Sequence, residues 1–226
     1  MKTKLLAVIY LLVGVLYILS RYNLSLRPAF VLKALIMPLL MSVFLVNLRP
    51  SGNRFHILLL VGLLFSWAGD LFLQVPPEVA DMFIPGLSGF LLAHIMYLYI
   101  FFATPGKNII TRRSFYLVIP IILYGSGLIW YLYNDLGSMK IPVILYAAVI
   151  LTMLTGAVNR LEKVNPLSYY IVLSGAILFV ISDSALAVNK FSHPFEASEL
   201  VVMSTYVTAQ LLIVTGYIKQ YIKTFK

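Results

Sequence analysis

The sequence predicts an all-α integral membrane protein with eight transmembrane helices in one bundle. Three observations lead there. The chain of 226 residues is 61% hydrophobic and 11% charged, whereas a soluble domain is about a quarter charged. Its apolar residues fall into eight nearly continuous runs of membrane-spanning length, separated by short connections. Its basic residues lie mostly on one side of those runs. Backbone groups in lipid need partners within their own segment, and continuous rather than alternating apolar runs exclude a β-barrel.

The runs follow in order. Leu5–Ser20 has the charged start and apolar stretch of a signal peptide, but no small-x-small cleavage site precedes Arg21, so it is expected to stay as the first helix. Pro28–Leu48 carries Lys33, Phe55–Gln74 carries Asp70, and Met82–Thr104 carries His94. Ser114–Tyr133 has no ionised residue. Ile141–Val158 carries Tyr146, Ser168–Val188 carries Asp183, and Glu199–Ile218 carries Tyr206 and Gln210. No connection could hold a further domain, so residues 1–226 are expected to form a single transmembrane domain.

The N-terminus, the even-numbered loops and the C-terminal tail hold Lys2, Lys4, Arg49, Arg54, Lys107, Arg112, Arg113, Arg160, Lys163, Lys219, Lys223 and Lys226. The opposite side holds Arg21, Arg27, Lys140 and Lys190. Twelve against four predicts cytoplasmic termini, and the expected location is a bacterial inner (cell) membrane. The net charge of +9 is accounted for by topology and anionic lipid, since no basic stripe with interleaved aromatics marks a nucleic-acid partner. There is no cysteine, which removes disulfides, thiolate nucleophiles and sulfur-ligated metals. No feature calls for a cofactor or an obligate protein partner.

An offset of 113 residues superimposes Asp70 on Asp183, Gly62 on Gly175, Leu32 on Leu145 and Ala34 on Ala147. The same offset places Lys33 on Tyr146 and Arg27 on Lys140. This predicts two parallel four-helix repeats, residues 1–113 and 114–226, related by an axis along the membrane normal. Each aspartate comes about 15 residues into an outward-running span, or roughly 22 Å along it. Lys33, Tyr146, Tyr206, Gln210 and His94 fall at comparable depth or nearer the midplane, so polar groups of six helices are expected to converge on one layer.

A buried charge in a membrane span costs several kcal/mol unless paired or solvated, and so marks function or a deliberate lock between helices. Asp70 and Asp183 are the candidate acid/base pair, and His94 a candidate proton relay. Lys33 can bridge an aspartate, bind an anion or snorkel to the headgroups. Tyr146, Tyr206 and Gln210, with Ser182 beside Asp183, are candidate substrate-orienting groups that could equally serve as interhelical hydrogen bonds. Trp67, Tyr97 and Tyr99 are expected to pack or anchor at an interface. His56 starts the third span on the cytoplasmic side and His193 lies in the final outer loop, so neither readily joins His94 in a three-histidine metal site. There is no G-x-S-x-G elbow, phosphate-binding glycine loop or H-E-x-x-H.

These motifs resemble the YhhN-type lysoplasmalogenase family of eight-span membrane proteins. LLFSWAGDLFL followed by FIPGLSGFLLAHIMYLYIF is similar to that family's G-D and A-H-x-x-Y blocks. GAILFVISDSALAVNKF resembles its G-A-x-x-F-x-x-S-D-x-x-L-A block, and TYVTAQLLI its Y-x-x-A-Q-x-L-I ending. VLKALIMP is a weaker likeness, because Pro38 stands apart from Lys33 where the family often has Lys-Pro. The resemblance implies hydrolysis of the vinyl ether bond of a lysoplasmalogen to a fatty aldehyde and glycerophospho-ethanolamine or -choline. Such cleavage needs a carboxylic acid to protonate carbon and a carboxylate to stabilise the cation and activate water, much as in glycosidases. A proton-coupled small-molecule or lipid transporter, and a non-catalytic lipid-binding membrane protein, would use the same buried groups.

Overall fold

The computed structural model describes residues 2–23, 26–48, 53–106 and 112–221. The described residues form eight α-helices: α1 (Lys2–Asn23), α2 (Leu26–Asn47), α3 (Arg54–Phe72), α4 (Phe83–Phe102), α5 (Arg112–Leu132), α6 (Lys140–Val158), α7 (Pro166–Phe191) and α8 (Ser198–Tyr221). No strand occurs among the described residues. One 3₁₀ turn, Gly137–Met139, leads directly into α6. Seven helices are long and apolar enough to cross a membrane, and α5 contributes a shorter apolar stretch, Tyr116–Leu132. Of the basic residues used above to orient the chain, Arg49, Lys107, Lys223 and Lys226 lie outside the described residues.

Local chemistry explains where helices begin. Asn53 Oδ1 accepts from the Phe55 amide at the start of α3. Asn165 Oδ1 accepts from the Ser168 amide at the start of α7, with Pro166 in the first turn, where its missing N–H is not needed. Pro38 lies inside α2 and leaves the Ala34 carbonyl without its helical N–H, a donor that the Trp67 indole supplies instead. The outward surface is apolar: Leu5, Val8, Leu12, Val15 and Leu19 of α1 are at least half exposed. Such a face suits hydrocarbon as solvent.

The chain divides into two compact units, residues 1–97 and 98–226. In the first, α1 packs on α2 and α2 on α3. The α3–α4 crossing depends on small residues. A Cβ on Gly89 would meet the Gly69 amide nitrogen and the Phe65 carbonyl at 2.9 Å, and one on Gly69 would meet the Phe90 ring at 2.8 Å. Close backbone approach of this kind is how membrane helices associate without a hydrophobic driving force between them.

In the second unit α7 and α8 pack along their lengths, and α6 lies against both α5 and α7. A Cβ on Gly175 would meet the Ala209 carbonyl at 2.9 Å and the Ile213 amide nitrogen at 3.0 Å. Arg160 belongs to the turn after α6 and is wholly buried, not displayed to headgroups as a loop cation would be. Its Nη2 donates to Ser168 Oγ at 3.0 Å and to Gln220 Oε1 at 2.9 Å, and its guanidinium lies 5.4 Å from the Phe101 ring centre. It ties the α6–α7 turn to the end of α8.

Candidate functional site

Each unit sets one aspartate against a polar side chain of the preceding helix. In the first, Asp70 sits in the last turn of α3 and is 2% exposed. Lys33 Nζ of α2 stands 3.9 Å from its Oδ1, and the ammonium also lies 5.5 Å from the centre of the Tyr17 ring of α1. Lys33 is itself buried, so it turns inward to the carboxylate and does not snorkel. Tyr10 of α1 is fully buried and close enough to Asp70 to feel its charge. The Trp67 indole Nε1 donates to the Ala34 carbonyl at 2.8 Å, filling the α2–α3 seam beside the ion pair. His94 and Tyr97 of α4 are wholly buried, while Tyr99 faces outward.

In the second unit the Tyr146 hydroxyl of α6 donates to Asp183 Oδ2 of α7 at 2.5 Å. Asp183 is only partly buried, because it lines a cleft between α5, α6 and α7. The cleft holds about 450 Å³ of empty space, counting the part open to the surroundings. Its walls are apolar, among them Leu128, Ile129, Leu132, Val143, Ile150 and Val180. Its polar atoms come from Asp183, Tyr146, Tyr124 and Ser184. Tyr124 of α5 donates to Ser184 Oγ at 2.8 Å, and Ser184 donates to the Val180 carbonyl at 2.7 Å. A Cβ on Gly125 would run into Leu151 Cδ1, so glycine here keeps the Leu151 side chain from being pushed off its place in the wall.

The structure thus joins Lys33 with Asp70, and Tyr146 with Asp183. Among the other candidates, Ser182 turns away from the cleft and donates to the Val202 carbonyl of α8 at 3.0 Å. Tyr206 is buried edge-on against Phe179, with ring centres 5.5 Å apart. Gln210 is wholly buried in α8, and neither it nor Tyr206 is part of the cleft wall. Tyr124 and Ser184 were not among the sequence candidates for substrate contact. Ser184 has no histidine placed by sequence to activate it, and Tyr124 lies in a run without an ionised residue, so neither stood out. No group of three or more His, Cys, Asp or Glu that could hold a metal occurs among the described residues.

A narrow apolar slot with one carboxyl, a phenol aimed at it and a second hydroxyl pair suits a chain-bearing substrate with a polar, acid-labile bond. The chain is similar to several known proteins. The model of the YhhN family matches residues 28–217. Lysoplasmalogenase TMEM86B of Sus scrofa is 31% identical over 177 residues, which cover 78% of this chain and 70% of that protein. Lysoplasmalogenase TMEM86A of Bos taurus is 33% identical over 170 residues, 73% of this chain and 65% of that protein. A lysoplasmalogenase of Mycobacterium bovis is 29% identical over 162 residues, 70% of this chain and 59% of its own length. No solved structure matches the chain.

Proposed function

This chain belongs to the YhhN family, and on that premise we propose that it hydrolyses the vinyl ether bond of a lysoplasmalogen within a membrane. The observation that carries the reading is the Tyr146–Asp183 pair standing in an apolar cleft between α5, α6 and α7. The substrate is R–CH=CH–O–R′, with R the hydrocarbon tail and R′ the glycerophospho headgroup. The tail lies along the apolar wall, and the enol ether carbons reach Asp183.

The Asp183 carboxyl, carrying a proton, gives it to the carbon β to the ether oxygen, leaving the oxocarbenium ion R–CH₂–CH=O⁺–R′ and a carboxylate. That carboxylate stabilises the cation and then takes a proton from the water that adds to it. The hemiacetal R–CH₂–CH(OH)–OR′ collapses to the aldehyde R–CH₂–CHO and the alcohol HO–R′. One water is consumed, and the carboxyl regains its proton. Tyr146 holds the carboxyl in one orientation. Asp70, ion-paired with Lys33, enters the proposal as a second required carboxylate because of its correspondence with Asp183 at an offset of 113 residues. His94, at 0% exposed, keeps its proposed role as a relay.

The test is the product. Purified protein with lysoplasmalogen in D₂O should release fatty aldehyde carrying one deuterium on the carbon next to the carbonyl, when the aldehyde is trapped as it forms. The glycerophospho product should keep its ether oxygen. Aldehyde without that deuterium, or no aldehyde above the protein-free rate, would remove the proposed chemistry.

A further inference from the structure

The helix that carries Asp183 continues for two turns beyond it, and so does its neighbour α5. Asp183 and Lys190 are seven residues apart on α7, about 20° short of two full turns and about 10.5 Å along the axis. Tyr124 and Tyr131 are seven residues apart on α5, in the same register. Two rungs join these helices. The lower one is Tyr124 with Ser184, at the cleft. The upper one is Tyr131 with the residues just after Lys190: Tyr131 OH lies 3.3 Å from His193 Nδ1, and Ser192 Oγ lies 2.7 Å from the same nitrogen. Between the rungs Leu128, Ile129, Leu132 and Ala187 continue the cleft wall into an apolar cluster with Val188 and Phe191. Above it, Lys190, His193 and Tyr131 all face outward.

We infer that the upper rung, formed by Lys190, His193, Tyr131 and Ser192, binds the phosphodiester of a lysophospholipid headgroup while the enol ether lies at Asp183. This rests on the vinyl ether reading of the cleft and adds the headgroup to it. Length supports the fit. From the protonated carbon to phosphorus there are seven bonds, through the neighbouring vinyl carbon, the ether oxygen, three glycerol carbons and the ester oxygen. An extended chain advances about 1.25 Å per bond, or about 9 Å in all. With contact distances of about 3 Å at each end, the reach covers the two-turn separation of Asp183 from Lys190. Chemistry supports it as well. An ammonium and an imidazole whose Nδ1 is held by two hydroxyls supply donors for phosphate oxygens. Glu196 in the α7–α8 connection and Glu199 in the first turn of α8 follow on the same end of the unit. They supply the opposite charge that an amine-bearing headgroup brings.

Binding is read with a saturated 1-O-alkyl lysophosphoethanolamine, which cannot be cleaved, on the purified full chain in nanodiscs. The phosphate-free 1-O-alkylglycerol and inorganic phosphate serve as comparisons. Lys190→Gln and His193→Gln should each weaken the phosphate-bearing lipid about tenfold, the loss of one charge-assisted contact. Both should leave the alkylglycerol within about twofold, and Lys190→Arg should restore most of the affinity. Equal loss for both lipids, or no loss for either, would overturn the inference. Saturable binding of inorganic phosphate that Lys190→Gln abolishes, with lipid affinity untouched, would also overturn it by assigning the donors to free phosphate. Because the lipid is uncleavable, the result stands apart from turnover. A chain that binds it in this way yet releases no aldehyde from lysoplasmalogen would sink the hydrolase reading and leave the headgroup site in place.

Discussion

The two aspartate centres are built on the same plan and finished differently. In each, the aspartate of one helix is met by a side chain of the preceding helix: Lys33 for Asp70, Tyr146 for Asp183. In each, a glycine eight residues before the aspartate lets the following helix close in, Gly62 on Tyr97 and Gly175 on the α8 backbone. The difference lies in what fills the seam. Trp67 packs its indole between α2 and α3 and hydrogen-bonds Ala34. At the same offset of 113 residues, Val180 and Ala147 occupy these two places, and both line the cleft. A large ring in one unit and an open slot in the other leave Asp70 2% exposed and Asp183 partly exposed. An ammonium balances the closed carboxylate, and a phenol orients the open one. The comparison teaches that a carboxylate within the bundle stays accessible only where the wall beside it is left unfilled.

The sharpest way to break the contrast is to fill the open seam. Val180→Trp should close the cleft as Trp67 closes its counterpart. Aldehyde release should fall by about 10²-fold or more, because a misplaced or excluded substrate loses the benefit of orientation. Thermal stability should hold within a few degrees, since the ring enters existing space.

Asp70→Asn tests the closed centre. Removing one partner of a buried ion pair leaves Lys33 uncompensated and should cost about 3–5 kcal/mol, read as a lower unfolding midpoint in detergent. Lys33→Met with Asp70→Leu should recover most of that stability. Activity measured on folded protein should be lost in both, and a folded Asp70→Asn with wild-type turnover would confine Asp70 to a structural role.

Tyr146→Phe leaves the ring in place and deletes the hydroxyl that orients Asp183. The expected outcome is a fall in kcat of about tenfold with KM little changed. A change confined to KM would show Tyr146 contacting substrate instead. Smallest of all, Ser182→Ala should cost about 1 kcal/mol through its lost bond to the Val202 carbonyl and leave turnover at the wild-type level. A clear drop in activity would return Ser182 to the substrate-contacting set.

Much of this was legible in the chain. The apolar runs marked all eight helices to within a few residues, because lipid demands long uninterrupted apolar segments. Lys33 and Tyr146, like Asp70 and Asp183, are 113 residues apart, and each of the first two meets the aspartate of its own unit. The rest depended on facts that residue types do not encode. Ser182 sits beside a proposed catalytic aspartate, but its partner is a backbone carbonyl that any residue at 202 would offer. Arg160 looked like a loop cation because it follows a run end, yet the turn folds it inward onto Ser168 and Gln220. Tyr124 and Gly125 lie in a run without an ionised residue, and their importance appears only once α5 is set against α6 and α7. Trp67 and Val180 are both apolar, so hydropathy alone does not separate a plug from a wall.

The central claim is that Asp183, in the open cleft, delivers the proton. Its most direct test is fatty aldehyde release from a lysoplasmalogen by purified wild-type protein and Asp183→Asn, compared at a temperature where both are folded. The amide keeps the shape and can still accept from Tyr146, but has no acidic proton to give. The account predicts that the variant falls by about 10³-fold or more while still binding an uncleavable ether analogue. Asp183→Asn turning over at the wild-type rate, folded and with the same product, would contradict it.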